Sequence, residues 1–217
     1  SGNAVGLEFT VAAMSDLSAP DAALLDDGRV VITFVNTAGT NSDIYSVIVD
    51  PRDEIINGTA GADVITSRIE GAAVNGLDGA DTLYGQAGAD TLNGDGGSDI
   101  LMGGGGADTM DGGLGDDRFY VDNALDAVTE AAGGGLDFIF ATTSFTIALN
   151  VERLYLQGSG NISGTGRDGQ NDVIYGNSGA NILDGRSGSD NLNGGLGNDS
   201  YHVNTSSDVV NEAAGGG

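Results

Sequence analysis

Aspartate recurs every nine residues over much of this chain, and that spacing is the first sign of chemistry. From Gly58 the sequence divides into GTAGADVIT (58–66), SRIEGAAVN (67–75), GLDGADTLY (76–84), GQAGADTLN (85–93), GDGGSDILM (94–102), GGGGADTMD (103–111) and GGLGDDRFY (112–120). Six of these seven units have Gly in the first and fourth places and Asp in the sixth. A looser array follows, RDGQNDVIY (167–175), GNSGANILD (176–184), GRSGSDNLN (185–193) and GGLGNDSYH (194–202). An ionised carboxylate offers only acceptor oxygens. Calcium takes about six to eight oxygen ligands and accepts carboxylates and backbone carbonyls alike. A hard divalent cation is therefore the chemistry that these residue types suit.

The elements that would position those oxygens follow from the same nine places. Glycine in the first and fourth places is expected to permit positive φ, so that a tight turn points its carbonyls inward. The last three places, such as Thr91-Leu92-Asn93, form a very short strand whose middle, apolar residue faces inward. Two nines make one coil of turn, strand, turn and strand, and each turn stacks on the turn 18 residues away. Gly76, Gly94 and Gly112 begin one column of turns, and Gly85 and Gly103 begin the other. Ions would sit between stacked turns. The expected fold class is all-β, a right-handed parallel β-roll, or β-solenoid, of nonapeptide repeats.

One inward apolar residue per nine is too little hydrophobic burial to order a glycine-rich chain. Stacked aspartates also repel one another unless a counterion lies between them. Bound metal answers both problems, because its binding free energy becomes folding free energy. The arrays are expected to be largely disordered without it.

Composition narrows the partners. The net charge is -25, and all seven cations are Arg. Of the 32 acids, 26 are Asp, the carboxylate that suits tight turns. Nucleic acid is excluded as a partner, since no basic patch can neutralise phosphates, and anionic membrane surfaces are disfavoured for the same reason. No apolar run reaches the about 18 residues of a transmembrane segment. The absence of Cys removes disulfides and zinc–thiolate sites.

A larger repeat contains the small one. Residues 112–135 match 194–217 at an offset of 82, with 14 of 24 positions identical. The chain has no signal-peptide pattern and reads as a fragment of something longer. Residues 1–56 form a β-rich segment, the end of a preceding β domain. GLEFTV, RVVITFV and DIYSVIV are its strands, and Asp27-Gly28 a turn. The expected division is 1–56, a first array over 57–120, a linking solenoid segment with longer, calcium-poor coils over 121–166, and a second array over 167–217. Phe138, Ile139, Phe140, Phe145, Ile147, Leu154 and Leu156 would supply the core of the linking segment, giving one continuous rod.

These nines resemble the RTX (repeats-in-toxin) haemolysin-type calcium-binding repeat. The linking pattern V-x-N-x-x-x-D-x-V-x-E-A-A-G-G-G and the ending NVERLYLQG resemble modules interspersed in long bacterial RTX proteins. Residues 1–56 loosely resemble a β-rich repeat found upstream of such arrays. The resemblance implies export by a type I secretion apparatus and folding outside the cell on several calcium ions. It implies side-chain ligation by Asp63, Asp81, Asp90, Asp99, Asp108, Asp117, Asp172, Asp190 and Asp199, with Asn181 a weaker, uncharged place. It further implies carbonyl ligands from the first, third and fifth places. Those are Gly76, Asp78 and Ala80; Gly85, Ala87 and Ala89; Gly94, Gly96 and Ser98; and Gly103, Gly105 and Ala107. Unit 67–75 departs from the pattern, with Ser67 and Ala72 in place of Gly and Asp, so its column is expected to lack a full site there.

Other readings fit less well. A flexible linker would not keep an apolar residue every nine. The EF-hand spacing is absent. The lone His202 stands where the 82-residue offset puts Tyr120, which argues for packing rather than catalysis. The turns carry no threonine ladder of the kind that binds ice. The fragment reads as non-catalytic. The alternatives are an adhesin or surface-layer module with a cell-surface or glycan partner, or the C-terminal module of a secreted protease, lipase or polysaccharide epimerase.

Overall fold

The computed structural model describes residues 21–24, 30–36, 43–49, 55–67 and 70–213. It forms two compact units, Ser1–Pro51 and Arg52–Gly217. In the first, Asp21–Leu24, Val30–Asn36 and Asp43–Val49 make an antiparallel three-stranded sheet in that order. The second and third of these strands are the expected RVVITFV and DIYSVIV. Asp21–Leu24 was not foreseen, and the expected GLEFTV strand and Asp27-Gly28 turn lie outside the described residues.

The second unit is a β-solenoid of parallel strands, with no helix among the described residues. Consecutive strands alternate between two sides. One side is a single nine-stranded sheet from Val64–Thr66 to Val209–Asn211. The other is a five-stranded sheet, from Ile55–Asn57 to Ala127–Thr129, and then a four-stranded sheet, from Phe145–Thr146 to Ser200–His202. The solenoid thus begins at Ile55, inside the stretch assigned by sequence to the preceding segment; Ile55–Asn57 pairs in parallel with Ala73–Asn75.

The 18-residue register holds throughout the first array. Leu83 pairs with Leu101 and Leu101 with Phe119 on one side; Val74 pairs with Leu92 and Leu92 with Met110 on the other. These eighth-place residues, with Ile174, Leu183 and Leu192, are fully buried and form one row of core down the rod. Each strand is so short because only its middle residue has core to reach, while its neighbours on either side point outward.

The linking segment departs from expectation in two ways. Its coils step by 20, 15 and 20 residues, from Arg118 to Phe138, Arg153 and Val173, so one coil is shorter rather than longer. And only one side is continuous: the nine-stranded sheet passes through, whereas the opposite side stops after Thr129 and restarts at Phe145. Ile139, Ile147, Leu154 and Leu156 fill the core as expected, together with Val121, Ala141 and Val151. Phe138 and Phe140 do not, because strand alternation turns them outward. There Tyr120, Phe140, Tyr155 and Tyr175 stack as a ladder, with ring centroids 5.1, 5.2 and 4.5 Å apart. Arg118 and Arg153 flank Phe138, each with its guanidinium carbon over the ring. The two copies of the larger repeat lie on opposite sides. Arg118–Val121 belongs to the nine-stranded sheet, and its counterpart Ser200–His202 to the four-stranded one.

Candidate metal centre

The sixth-place aspartates stand at the mouth of each strand and are buried by the coil above. Asp81, Asp90, Asp99, Asp108, Asp117, Asp172 and Asp190 are all at most 1% exposed. Each carboxylate divides its work between its two oxygens. One accepts a backbone N–H, at Asp172 that of Arg167 in its own turn at 2.6 Å and at the others that of the sixth place of the preceding coil: Asp63 N–H to Asp81 at 2.7 Å, Asp81 to Asp99 at 2.7 Å, and Asp99 to Asp117 at 2.7 Å. On the other column Ala72 N–H donates to Asp90 at 2.6 Å and Asp90 N–H to Asp108 at 2.8 Å. The second oxygen of Asp81, Asp90, Asp99, Asp108, Asp117, Asp172, Asp190 and Asp199 is buried and has no hydrogen-bond partner. A buried, unpartnered anionic oxygen is costly, and a repeated row of them is relieved by a cation or by protons.

The first-place glycines complete the cradle. A Cβ on Gly76 would stand 2.5 Å from Asp81 Oδ2 and 3.0 Å from the carbonyl oxygen of Gly94 in the next coil. On Gly85 it would stand 2.7 Å from Asp90 Oδ2 and 2.6 Å from the Gly103 carbonyl. Glycine is needed here to keep this oxygen-lined space open, and not for positive φ, which corrects the expectation. Positive φ falls on the second place, at Leu77, Gln86 and Asp95, and on the fourth, as at Gly97 and Gly115. The oxygens lining these spaces, carboxylate and carbonyl, are those calcium accepts.

A family profile for the RTX calcium-binding nonapeptide repeat matches four copies, over residues 50–67, 74–101, 93–124 and 167–201. The chain carries RTX calcium-binding repeats. No curated protein and no solved structure gives a significant match to it. With the solenoid fold, the RTX match makes this a calcium-binding structural module.

The expected ligands do not all behave alike. Asp63, in the first RTX unit, is half-buried, and its carboxylate takes the Thr59 N–H at 2.6 Å and the Thr59 hydroxyl at 2.9 Å. Asn181 closes its own turn: its oxygen accepts the Asn177 N–H at 2.8 Å, and its amide nitrogen donates to the Ile162 carbonyl at 2.9 Å. It substitutes hydrogen bonds for a cation. In the unit holding Asp172 the first-place role falls to Gly166, one residue earlier than the sequence frame puts it, and a Cβ there would stand 2.6 Å from Asp172 Oδ2. The third places stack as drawn, Asp78 on Gly96 and Ala87 on Gly105. The carbonyls of Gly96 and Gly105 already accept the N–H groups of Gly79 at 2.6 Å and Gly88 at 2.8 Å, tying turn to turn. The fifth-place residues Ala80, Ala89, Ser98 and Ala107 lie exposed at the turns.

Five carboxylates escaped the sequence reading. Asp126 receives the Asp108 N–H at 3.0 Å, and Asp208 the Asp190 N–H at 3.2 Å. Both stand 18 residues past a recognised aspartate and 82 from each other, so the spacing was there to find. Asp137 takes the Asp117 N–H at 2.8 Å, and Glu152 the Asp137 N–H at 3.0 Å. Their steps of 20 and 15 break the count of nine. The fifth, Glu130, stands 18 residues past Gly112, at the place of a first-position glycine.

Burial also sets the charge state. Loss of water pushes Asp99 up from 3.8 to about 7; the Asp81 N–H draws it down, while the Asp117 and Asp81 carboxylates push it further up. Burial likewise raises Asp137 and Asp172 to about 6, and Glu130 from 4.5 to about 8. Asp90, Asp108, Asp117 and Asp190 shift upward for the same first reason. A cation in the column would supply the opposite charge that these groups lack.

Proposed function

We propose that this RTX module folds on calcium outside the cell, as a structural and secretion-assisting part of a large bacterial protein exported by a type I apparatus. The observation that carries the reading is the row of buried, unpartnered carboxylate oxygens, those of Asp81, Asp90, Asp99, Asp108 and Asp117 each beside a first-place glycine. Calcium there would be held by Asp81, Asp99 and Asp117 on one column, and by Asp90 and Asp108 on the other. It would supply the positive charge that lets anionic turns stack. At the low calcium of a cytoplasm the stacked carboxylates repel, and the chain stays extended enough to be exported. Outside, calcium closes the coils in register. The module itself is non-catalytic. No helix among the described residues is long and apolar enough to cross a membrane.

The test is circular dichroism against free calcium. The β signal is expected to appear cooperatively at about 10⁻⁴–10⁻³ M, the range of extracellular calcium modules. A full β signal at submicromolar free calcium would sink the export-gating reading.

A further inference from the structure

The first array does not end like its interior. Asp117, Glu130 and Asp137 bring one oxygen apiece within 4.8 Å of one another. Asp117 and Asp137 are completely buried, and the second oxygen of each has no hydrogen-bond partner. Glu130 Oε2 is likewise buried and unpartnered. Glu130 is fixed at both ends: its Oε1 accepts the Ala131 N–H at 2.6 Å, and its backbone carbonyl accepts the Asn150 side-chain amide at 3.0 Å. A Cβ on Gly112 would stand 2.5 Å from Asp117 Oδ2 and would also meet Glu130 Oε2, so glycine keeps open the space between them.

We propose that Asp117, Glu130 and Asp137 form a closing cation site at the end of the nonapeptide column, which takes the tightest calcium of the first array and fastens that array to the linking segment. The inference rests on the calcium-module reading above. At interior turns of this column, such as those of Gly76 and Gly94, the space beside the glycine is bordered by one aspartate oxygen and a carbonyl of the next coil. Here a glutamate stands in the place of a glycine, and three carboxylates gather. Calcium affinity rises with ligand charge and with rigidity, and all three carboxylates are held by backbone contacts. The second copy of the larger repeat differs at this glutamate. Glu212, the counterpart of Glu130, accepts a hydrogen bond from the Tyr201 hydroxyl. The counterpart of Tyr201 in the first copy is Phe119, which has no hydroxyl, and Glu130 keeps its oxygen for a cation.

Calorimetric calcium titration of the whole chain tests this, comparing wild type, Glu130→Gln and Asp99→Asn. Glu130→Gln is expected to weaken the first, tightest equivalent at least tenfold and to leave the later ones in place. Asp99→Asn is expected to spare the tightest equivalent. A Glu130→Gln titration that overlays the wild type overturns the closing site while leaving the module reading intact. Absence of calcium binding in every protein removes that reading instead. A second measurement needs no variant: wild-type crystals given one equivalent of terbium should show an anomalous peak among the three carboxylates. Peaks confined to the other turns overturn the proposal.

Discussion

The two columns of turns are built from the same repeat, yet only one of them survives the linking segment. On the side that feeds the nine-stranded sheet, the place before each strand holds Asp63, Asp81, Asp99, Asp117, Asp137, Glu152, Asp172, Asp190 and Asp208 in unbroken succession. On the other side the succession is Ala72, Asp90, Asp108 and Asp126, then Ser144 and Ile162, then Asn181 and Asp199. The sheet breaks where the carboxylates lapse, between Thr129 and Phe145. Near the break a cleft opens, lined by Val128, Phe145, Ala148, Arg167 and Arg186 among others. On the unbroken column most coils are bridged by a carboxylate oxygen that receives the amide of the coil before it, whereas Phe145–Thr146, Ser163–Thr165 and Ile182–Asp184 pair in parallel past Ser144, Ile162 and Asn181 without one. A coil without that oxygen is bridged by neutral groups instead, as Ser144 by the Ser163 N–H and Ile162 by the Asn181 amide, and offers no anionic ligand.

The sharpest way to break this comparison is to cut the unbroken column where the other is already cut. Asp137→Ala removes the acceptor for the Asp117 N–H and a buried carboxylate facing Asp117 and Glu130. It is expected to cost about 3 kcal/mol and to split thermal unfolding in calcium into two transitions. Ser144→Ala, on the interrupted column, removes one exposed acceptor of the Ser163 N–H and should cost under about 1 kcal/mol, with a single transition. Equal effects would show that the columns are energetically alike.

Filling the cradle comes next. Gly76→Ala and Gly85→Ala, one in each column, put a methyl against a carboxylate and a carbonyl of the next coil. Each is expected to cost about 2 kcal/mol and one bound calcium, read by denaturant titration and metal counting. A variant that keeps its full calcium count would show that the space is not where calcium binds.

Protons should compete with the ion. The raised values of Asp99, Asp137, Asp172 and Glu130 mean that the calcium-free fold is most stable below the ordinary carboxylate range near 4 and loses that stability as pH rises through about 6 to 8. In chelator, the β signal should therefore be greater at pH 5 than at pH 8. With calcium the order reverses, and apparent affinity should fall at least tenfold from pH 8 to pH 5.5. A pH-independent affinity would contradict the placement of those carboxylates. The smallest effect expected is at Asn181→Asp. Replacing the self-sufficient amide with a carboxylate should add one calcium and about 1 kcal/mol in its presence, and destabilise the chain in chelator.

The sequence made the coil legible because two constraints repeat together, an apolar residue at the eighth place and Asp at the sixth. That is why Leu83, Leu101 and Phe119, and likewise Asp81, Asp99 and Asp117, fell where expected. Asp137 and Glu152 were hidden because insertions and a deletion shift the count without breaking the column, which follows hydrogen bonds rather than numbering. Phe138 and Phe140 read as core because they are large and apolar; strand alternation assigns the inward place to Ile139 between them. The reversal of sides between the larger repeats was equally out of sight, since it depends on the lengths of the linking coils. Two glycines in one repeat also look alike as letters, though one holds a positive φ and the other guards an oxygen-lined space.

The central claim is that calcium lies inside the columns, between stacked turns. An anomalous difference map from calcium-bound crystals tests it most directly. Peaks beside the unpartnered oxygens of Asp81, Asp90, Asp99, Asp108 and Asp117 are predicted, those at Asp81, Asp90 and Asp99 each near the carbonyl of the next first-place glycine. Peaks only on exposed carboxylates, with those inner oxygens bare, would contradict the account.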